Sequence, residues 1–267
     1  MIVFLVIFLL VLLFIFCLKG RTANKGVQML RGWFYAHRGL HCESVPENSL
    51  SAFRLAKESG YGVELDVHLM SDGNLAVIHD SSLQRIAGSN HIVEELDTEK
   101  LTQFVLKGND ERIPLFSQVL DLVDGQIPLI VELKTHRSNH AALCETVCNV
   151  LADYKGVYCI ESFDPRCILW LRKHRPNIIR GQLTENFFRS NNDLPWIFKF
   201  CMKHQLLNVI TRPDFVAYRH SDRKTISNFI CRKIWHVQGV AWTITSQTDL
   251  DCVVKEGWIP IFEGFKP

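Results

Sequence analysis

The stretch Gly62-Val63-Glu64-Leu65-Asp66-Val67-His68, followed past Leu69 by Met70-Ser71-Asp72-Gly73-Asn74 and then Leu75-Ala76-Val77-Ile78-His79, reads as a strand, a turn and a returning strand. Alternation puts Glu64, Asp66 and His68 on one face of the first strand and Val63, Leu65 and Val67 on the other. Asp-Gly between two alternating runs is a strong hairpin signal. A turn centred on Asp72-Gly73 makes the returning strand antiparallel and brings His79 alongside Glu64. Segment 81–112 then has no place in a regular alternation of elements. It reads as an excursion over one end of the domain, where substrate-binding loops belong.

Outward from this hairpin, short β-rich runs recur with helical stretches between them. The strands are expected at Trp33–His37, Gly62–His68, Pro128–Leu133, Val157–Ser162, Ile179–Leu183, Leu207–Thr211, Gly239–Ile244 and Ile259–Phe262. Helices are expected near 48–59, 115–124, 138–153, 165–174, 195–205, 223–235 and 247–256. Eight strands alternating with helices imply an α/β protein, a (β/α)8 TIM-type barrel. The 267 residues suffice for one such domain.

Before the barrel, Ile2 to Leu18 form an uninterrupted apolar run, about 25 Å long as a helix, near the lower limit for spanning a bilayer. Nothing basic precedes it and no small-residue cleavage site follows, which favours an anchor helix over a cleaved signal peptide. Lys19, Arg21, Lys25 and Arg31 all follow the run, so the positive-inside rule places the remainder of the chain in the cytoplasm. The expected organisation is a transmembrane anchor over 1–18, a basic linker over 19–32 and a catalytic domain over 33–267. The nine cysteines are scattered and odd in number, which argues against a disulfide framework and for a reducing compartment. Cys144 and Cys148 have helical i,i+4 spacing, but no second pair stands near to complete a zinc site. The 30 Lys+Arg against 28 Asp+Glu are too balanced for a nucleic-acid footprint.

The chemistry-bearing residues cluster at strand ends. Tyr35-Ala36-His37-Arg38-Gly39 closes the first strand and, in a barrel, puts His37 and Arg38 at the active-site face. An imidazole beside a permanent cation suits an anionic substrate, although the same tripeptide also fits a structural histidine. Inward-facing Glu64 and Asp66 are costly unless something pairs with them: either a salt-bridged strand end or a hard divalent cation, Mg²⁺ or Ca²⁺. Glu132, in Pro128-Leu129-Ile130-Val131-Glu132-Leu133-Lys134, adds a third carboxylate and favours the cation, with Arg38 and Lys134 restoring charge balance. His79 supplies a second imidazole, so His37 and His79 can serve as general base and general acid at phosphorus. Asp80 either orients His79 or starts the next turn. Trp242 and Gln182 either line the pocket or fill the barrel, with Trp242 the better candidate for substrate contact. The apolar and basic stretch Leu194–Leu207 fits a bilayer surface or an ordinary barrel helix.

The ordered set His37-Arg38-Gly39, Pro46-Glu47-Asn48-Ser49, Glu64-Leu65-Asp66-Val67, Asp72-Gly73, His79-Asp80, Glu132-Leu133-Lys134, Ser162-Phe163-Asp164 and Trp242-Thr243 resembles the glycerophosphodiester phosphodiesterase family over roughly residues 33 to 265. The resemblance implies a barrel related to the phosphatidylinositol phospholipase C type and cleavage of glycerophosphodiesters to an alcohol and glycerol phosphate. It implies His37 and His79 as the acid/base pair, Glu64, Asp66 and Glu132 as ligands of one divalent cation, and Arg38 and Lys134 as the phosphate-holding cations. Leu115-Phe116 stands where the family often has Thr-Leu, and Ser49 where it often has Thr. A lysophospholipase D-like enzyme acting on lysophospholipids would use the same metal and histidines. A non-catalytic binding module is expected to have lost one of those five residues, and all five are present.

Overall fold

The computed structural model describes residues 1–21, 24–108, 110–190 and 192–267. The alternating run is realised as β2 (Gly62–Leu69), buried along nearly its whole length. It pairs in parallel with β1 (Tyr35–His37) on one side and β4 (Leu129–Leu133) on the other. The order continues through β5 (Tyr158–Ser162), β6 (Arg180–Thr184), β7 (Phe215–Arg219), β8 (Gln238–Ile244) and β9 (Trp258–Phe262), which returns to β1. Eight parallel strands thus close into a barrel among the described residues, as the alternation predicts. The ninth, β3 (Leu75–Val77), is the hairpin partner of β2, with Val67 opposite Val77 and Leu69 opposite Leu75.

Helices cover the outside: α2 (Leu50–Glu58), α3 (Phe116–Val123), α4 (His140–Val150), α5 (Pro165–His174), α6 (Trp196–Lys203), α7 (Ile226–Lys233) and α8 (Gln247–Lys255). Their apolar faces bury Phe53, Phe116, Val147, Ile168, Cys231 and Val253 against the outward-facing valines and leucines of the strands. A second core fills the barrel and includes Tyr35, Ile130, Cys159, Phe215 and Val240. Val27 and Leu30, from a 3₁₀ turn at Lys25–Leu30, join that inner core. The 81–112 excursion has its own small core around Leu83, Ile86, Val93, Leu96 and Leu101.

One strand lies elsewhere than the sequence predicts. Leu207–Thr211 is not the sixth barrel strand; Asn208–Thr211 forms a helical turn, with Thr211 N–H donating to Leu207 O at 3.0 Å. Its β-branched residues mimic a strand locally, but Phe215–Arg219 is the segment that finds partners on both sides, β6 and β8. The stretch Leu194–Leu207 carries barrel helix α6, whose Met202 is buried.

The apolar N-terminus is also corrected. It forms α1 (Ile2–Cys17), about 24 Å long at ~1.5 Å per residue. The barrel takes up the end of the run: Leu18 is fully buried, its carbonyl accepts from Asn208 Nδ2 at 3.4 Å, and Trp235 Nε1 donates to Ile15 O at 2.7 Å. No helix among the described residues is long and apolar enough to cross a membrane. The transmembrane anchor, single-pass attachment to the membrane and the orientation facing the cytoplasm are therefore overturned. The basic residues after the run have packing partners instead: Lys19 lies over the Trp235 ring, Arg21 Nη2 donates to Asp214 Oδ2 at 2.6 Å, and Arg31 Nε donates to Gln238 Oε1 at 2.8 Å. Of the expected linker 19–32, residues 22 and 23 lie outside the described residues. All nine cysteines are free, five of them buried.

Inside the barrel a methyl group added at Gly181 would meet the Phe215 ring at 2.1 Å. Phe215 is fully buried and cannot yield without disturbing the inner core. Gly181→Ala should therefore cost about 1–3 kcal/mol of overpacking, measured by chemical denaturation. Phe215→Leu in the same chain should recover part of the loss; independent, additive losses would show that this contact does not set the packing.

Candidate active site

The carboxyl ends of β1, β2, β4 and β5 bring the predicted residues together. Glu64, Asp66 and Glu132 are buried, and each offers an oxygen such that all three lie within 4.8 Å of one another. Adjacent registers produce this: Asp66 pairs with Glu132 across β2 and β4, and Glu132 with Glu161 across β4 and β5. Glu161 is a fourth buried carboxyl, with Oε2 lacking a hydrogen-bond partner. Lys134 Nζ sits 2.7 Å from Glu132 Oε1 and 3.0 Å from Asp66 Oδ1, while Arg38 Nε is 3.5 Å from Asp66 Oδ2. Asn48 Nδ2 donates to Asp66 Oδ2 at 2.9 Å and fixes that carboxylate.

Burial opposes ionisation of every one of these carboxyls, and the neighbours decide the outcome. Burial, reinforced by Asp66 and Glu132, pushes Glu64 well up. Glu132 is pushed up to about 7, by burial against the counter-effect of Lys134. Asp66 goes the other way: burial is outweighed by Lys134, His79, Arg38 and the Asn48 hydrogen bond, so it stays well below the usual carboxylate range. Lys134 is held charged because Asp66 and Glu132 together outweigh its burial.

Arg38 shows how the backbone serves the site. It adopts a left-handed conformation at φ 55°, which aims its backbone N–H at Glu64 Oε2, 3.1 Å away. Such a conformation is strained for a non-glycine residue and concentrates at functional positions. The next residue, Gly39, has φ 80° and a position where a Cβ would lie 2.8 Å from Ala52, so glycine is required there.

The two histidines approach this cluster from different strands. His37 Nε2 faces Glu64 Oε2 at 3.9 Å, and its Nδ1 lies 2.6 Å from Glu263 Oε2. His79 follows β3, with Nδ1 2.7 Å from Asp80 Oδ1, so Asp80 orients the ring. The hairpin register, Val67 opposite Val77, carries His79 to the level of Leu65 between Glu64 and Asp66, and the charges acting on it include those of Lys134, Asp66 and Arg38. Burial and Lys134 lower its basicity against the raising influence of Asp66 and Asp80. His68, which shares the inward face by alternation, is not in the three-carboxylate cluster. Its Nδ1 is 2.6 Å from Glu94 Oε1 and its Nε2 3.2 Å from the His79 carbonyl oxygen, so it ties the excursion to the His79 backbone.

Several contributors were not assigned roles by sequence reasoning. Glu263 directly follows β9, far in the chain from His37, and no local pattern connects them. Arg85 binds Glu47 through two nitrogens at 2.7 and 2.9 Å and Asp80 through Nε at 2.5 Å. Glu47 Oε1 in turn accepts from Arg38 Nη1 at 2.9 Å. An unbroken polar chain therefore runs from the His79 ring to Arg38. Glu47 does fall in the Pro46–Ser49 segment singled out by resemblance, which was the available signal. Trp242 stands at the mouth, half-buried and edge-on to Phe163 with ring centroids 5.6 Å apart. Gln182 is inside the barrel, donating to Ser162 O at 3.0 Å.

Comparison with known proteins gives the family and the fold. Residues 37–246 match the Glycerophosphoryl diester phosphodiesterase family. A glycerophosphodiester phosphodiesterase of Caldanaerobacter subterraneus subsp. tengcongensis is 27% identical over 237 residues, covering 83% of this chain and 89% of that protein. A lysophospholipase D of Mus musculus is 26% identical over 176 residues, covering 61% of this chain and 50% of that one. In fold, the chain superposes with a TM-score of 0.74 on a phosphodiesterase from Oleispira antarctica solved in complex with the product sn-glycerol-3-phosphate. That pair is 20% identical, covering 89% of this chain and 94% of the other.

The His79 environment yields a signed pH prediction. Asp80 raises the basicity of His79 by accepting its hydrogen bond, so Asp80→Asn should lower it further. Whichever limb of the activity–pH profile His79 governs should move to lower pH, together with a fall in kcat. An unmoved profile, or a limb moving to higher pH, would show that Asp80 does not act on this ring.

Proposed function

Since the chain belongs to the glycerophosphoryl diester phosphodiesterase family and is an enzyme of that class, we propose that it hydrolyses glycerophosphodiesters to glycerol phosphate and an alcohol, using one divalent cation and two histidines. The observation that carries this reading is that His37, at the end of β1, and His79, just after β3, both flank one cluster of three buried carboxylates and two cations. The donor set suits a hard cation. All three candidate ligands are carboxylates, the choice of Mg²⁺ and Ca²⁺; Arg38 and Lys134 pair with Asp66 and Glu132, and a +2 ion would favour ionisation of the buried carboxyls that burial alone opposes.

Glu64, Asp66 and Glu132 would hold the ion, which when bound supplies Lewis-acid polarisation of a phosphoryl oxygen and charge neutralisation. Arg38 and Lys134 bind the phosphoryl oxygens and stabilise the charge that grows on them in the transition state. Glu263 and Asp80 each engage Nδ1 of one histidine, leaving both Nε2 atoms to exchange protons with substrate. One takes a proton from the attacking oxygen, either of water or of the glycerol 2-hydroxyl by way of a cyclic phosphate that water then opens, and the other delivers one to the departing alcohol. Trp242 lines the mouth beside the substrate.

Three measurements test this reading. Chelation should abolish turnover of glycerophosphocholine and added Mg²⁺ or Ca²⁺ should restore it. His37→Ala and His79→Ala should each lower kcat by at least about a hundredfold, with KM little changed. A diester with a very acidic leaving group should rescue only the variant that lost the general acid. Full activity in metal-free protein, or near-normal turnover in either folded variant, would reject the mechanism.

A further inference from the structure

Between α7 and α8, on the flank of the barrel, lies a groove of about 480 Å³ that the catalytic reading does not use. Its floor includes Trp258, which opens β9 and pairs with Gly239 near the start of β8. Those are the amino ends of the strands, whereas the carboxylate cluster stands at the carboxyl ends. The groove is therefore a separate place from the candidate active site. Its volume falls in the ~300–1,000 Å³ range of small-molecule sites.

Four cations line it, Arg223, Lys224, Arg232 and Lys233, against the single carboxylate of Glu256. That carboxylate is already engaged: Arg223 reaches it with Nε at 3.3 Å and Nη2 at 3.4 Å, and Trp258 Nε1 donates to it at 3.1 Å. Among the described residues no carboxylate pairs with Lys224, Arg232 or Lys233. Arg232 is held in place, its guanidinium 4.0 Å over the Trp258 ring and its Nη2 donating to the Glu256 carbonyl oxygen at 2.7 Å. Burial lowers its basicity; Glu256 opposes that effect and Arg223 adds to it. A cleft lined by one sign of charge concentrates counter-ions, and a bound anion would offset the uncompensated charge here.

The chemistry of the lining selects the anion. Guanidinium and ammonium groups together match a doubly charged group with several oxygens around one atom, which is a phosphate. Phe229, 62% exposed on the rim, offers an apolar face to whatever carries that phosphate. We propose that the groove between α7 and α8 is a second phosphate site, which binds a small dissolved phosphate monoester through Arg232, Lys224 and Lys233 with its organic part against Phe229. Its occupation does not depend on the phosphodiesterase reading.

The test titrates the full chain with inorganic phosphate and with phenyl phosphate, neither of them a diester, and follows the indole N–H signals by NMR. Trp258 reports on the groove and Trp242 on the barrel mouth, each assigned through Trp258→Phe or Trp242→Phe. Both ligands should shift the Trp258 signal to saturation, phenyl phosphate at about threefold lower concentration. Arg232→Gln should raise the half-saturating concentration at Trp258 at least about tenfold, and so should Lys224→Glu combined with Lys233→Glu. The response at Trp242 should stay within about twofold in both. Lys224 and Lys233 are exposed, so that pair keeps the test valid if Arg232→Gln fails to fold. Phe229→Ala should abolish the advantage of phenyl phosphate. A Trp258 signal that does not respond, or responds equally in the cation variants, would overturn the proposal. So would an advantage of phenyl phosphate that survives Phe229→Ala, or binding to phosphatidic acid vesicles with no response to either dissolved ligand.

Discussion

Four carboxyl groups, those of Glu64, Asp66, Glu132 and Glu161, are buried on three neighbouring strands, with Arg38 and Lys134 among them. Removing so much like charge from water is costly unless it is paired, protonated or neutralised by an ion. Much of the barrel mouth answers that demand. The left-handed turn at Arg38 delivers a backbone N–H to Glu64, Asn48 clamps Asp66, and Lys134 bridges two carboxylates. The histidines are then held outside this knot by their own carboxylates, Glu263 and Asp80. Charge balance and catalytic geometry are in this sense one design.

The barrel was largely legible from the chain because a parallel strand ending in a functional residue leaves a local mark. Glu64, Asp66, Glu132 and Lys134 lie on inward faces set by simple alternation, and the structure brings them together. The Asp72-Gly73 turn is likewise local, with Gly73 at φ 85°. What misled was local similarity without tertiary partners. Asn208-Val209-Ile210-Thr211 has the β-branched content of a strand, yet Phe215–Arg219 holds the place between β6 and β8. The apolar run at the N-terminus met the criterion of hydropathy for a span, but its last residues are claimed by Trp235, Asn208 and the buried site of Leu18.

Long-range pairs were invisible for the same reason. His37 and Glu263 are 226 residues apart, and Arg85 reaches 38 residues back to Glu47. No periodicity links such positions; closure of β9 onto β1 makes the first pair, and the fold of the 81–112 excursion makes the second. Described residues of the excursion therefore brace the candidate active site. Through Arg85 it holds Asp80 and Glu47, and through Glu94 it holds His68 and so the backbone at His79. An apolar cavity lined by Phe163, Phe187, Leu194 and Phe198 lies among the segments after β5 and β6.

The central claim is that the buried carboxylates form the seat of a divalent cation, and direct binding tests it most plainly. Calorimetric titration of Mg²⁺ and of Ca²⁺ into chelator-treated protein should find a site for one ion per chain. That binding should be lost in folded Asp66→Asn and Glu132→Gln variants and kept in His79→Ala. Absence of binding by either ion, or binding indifferent to Asp66 and Glu132, would contradict the account.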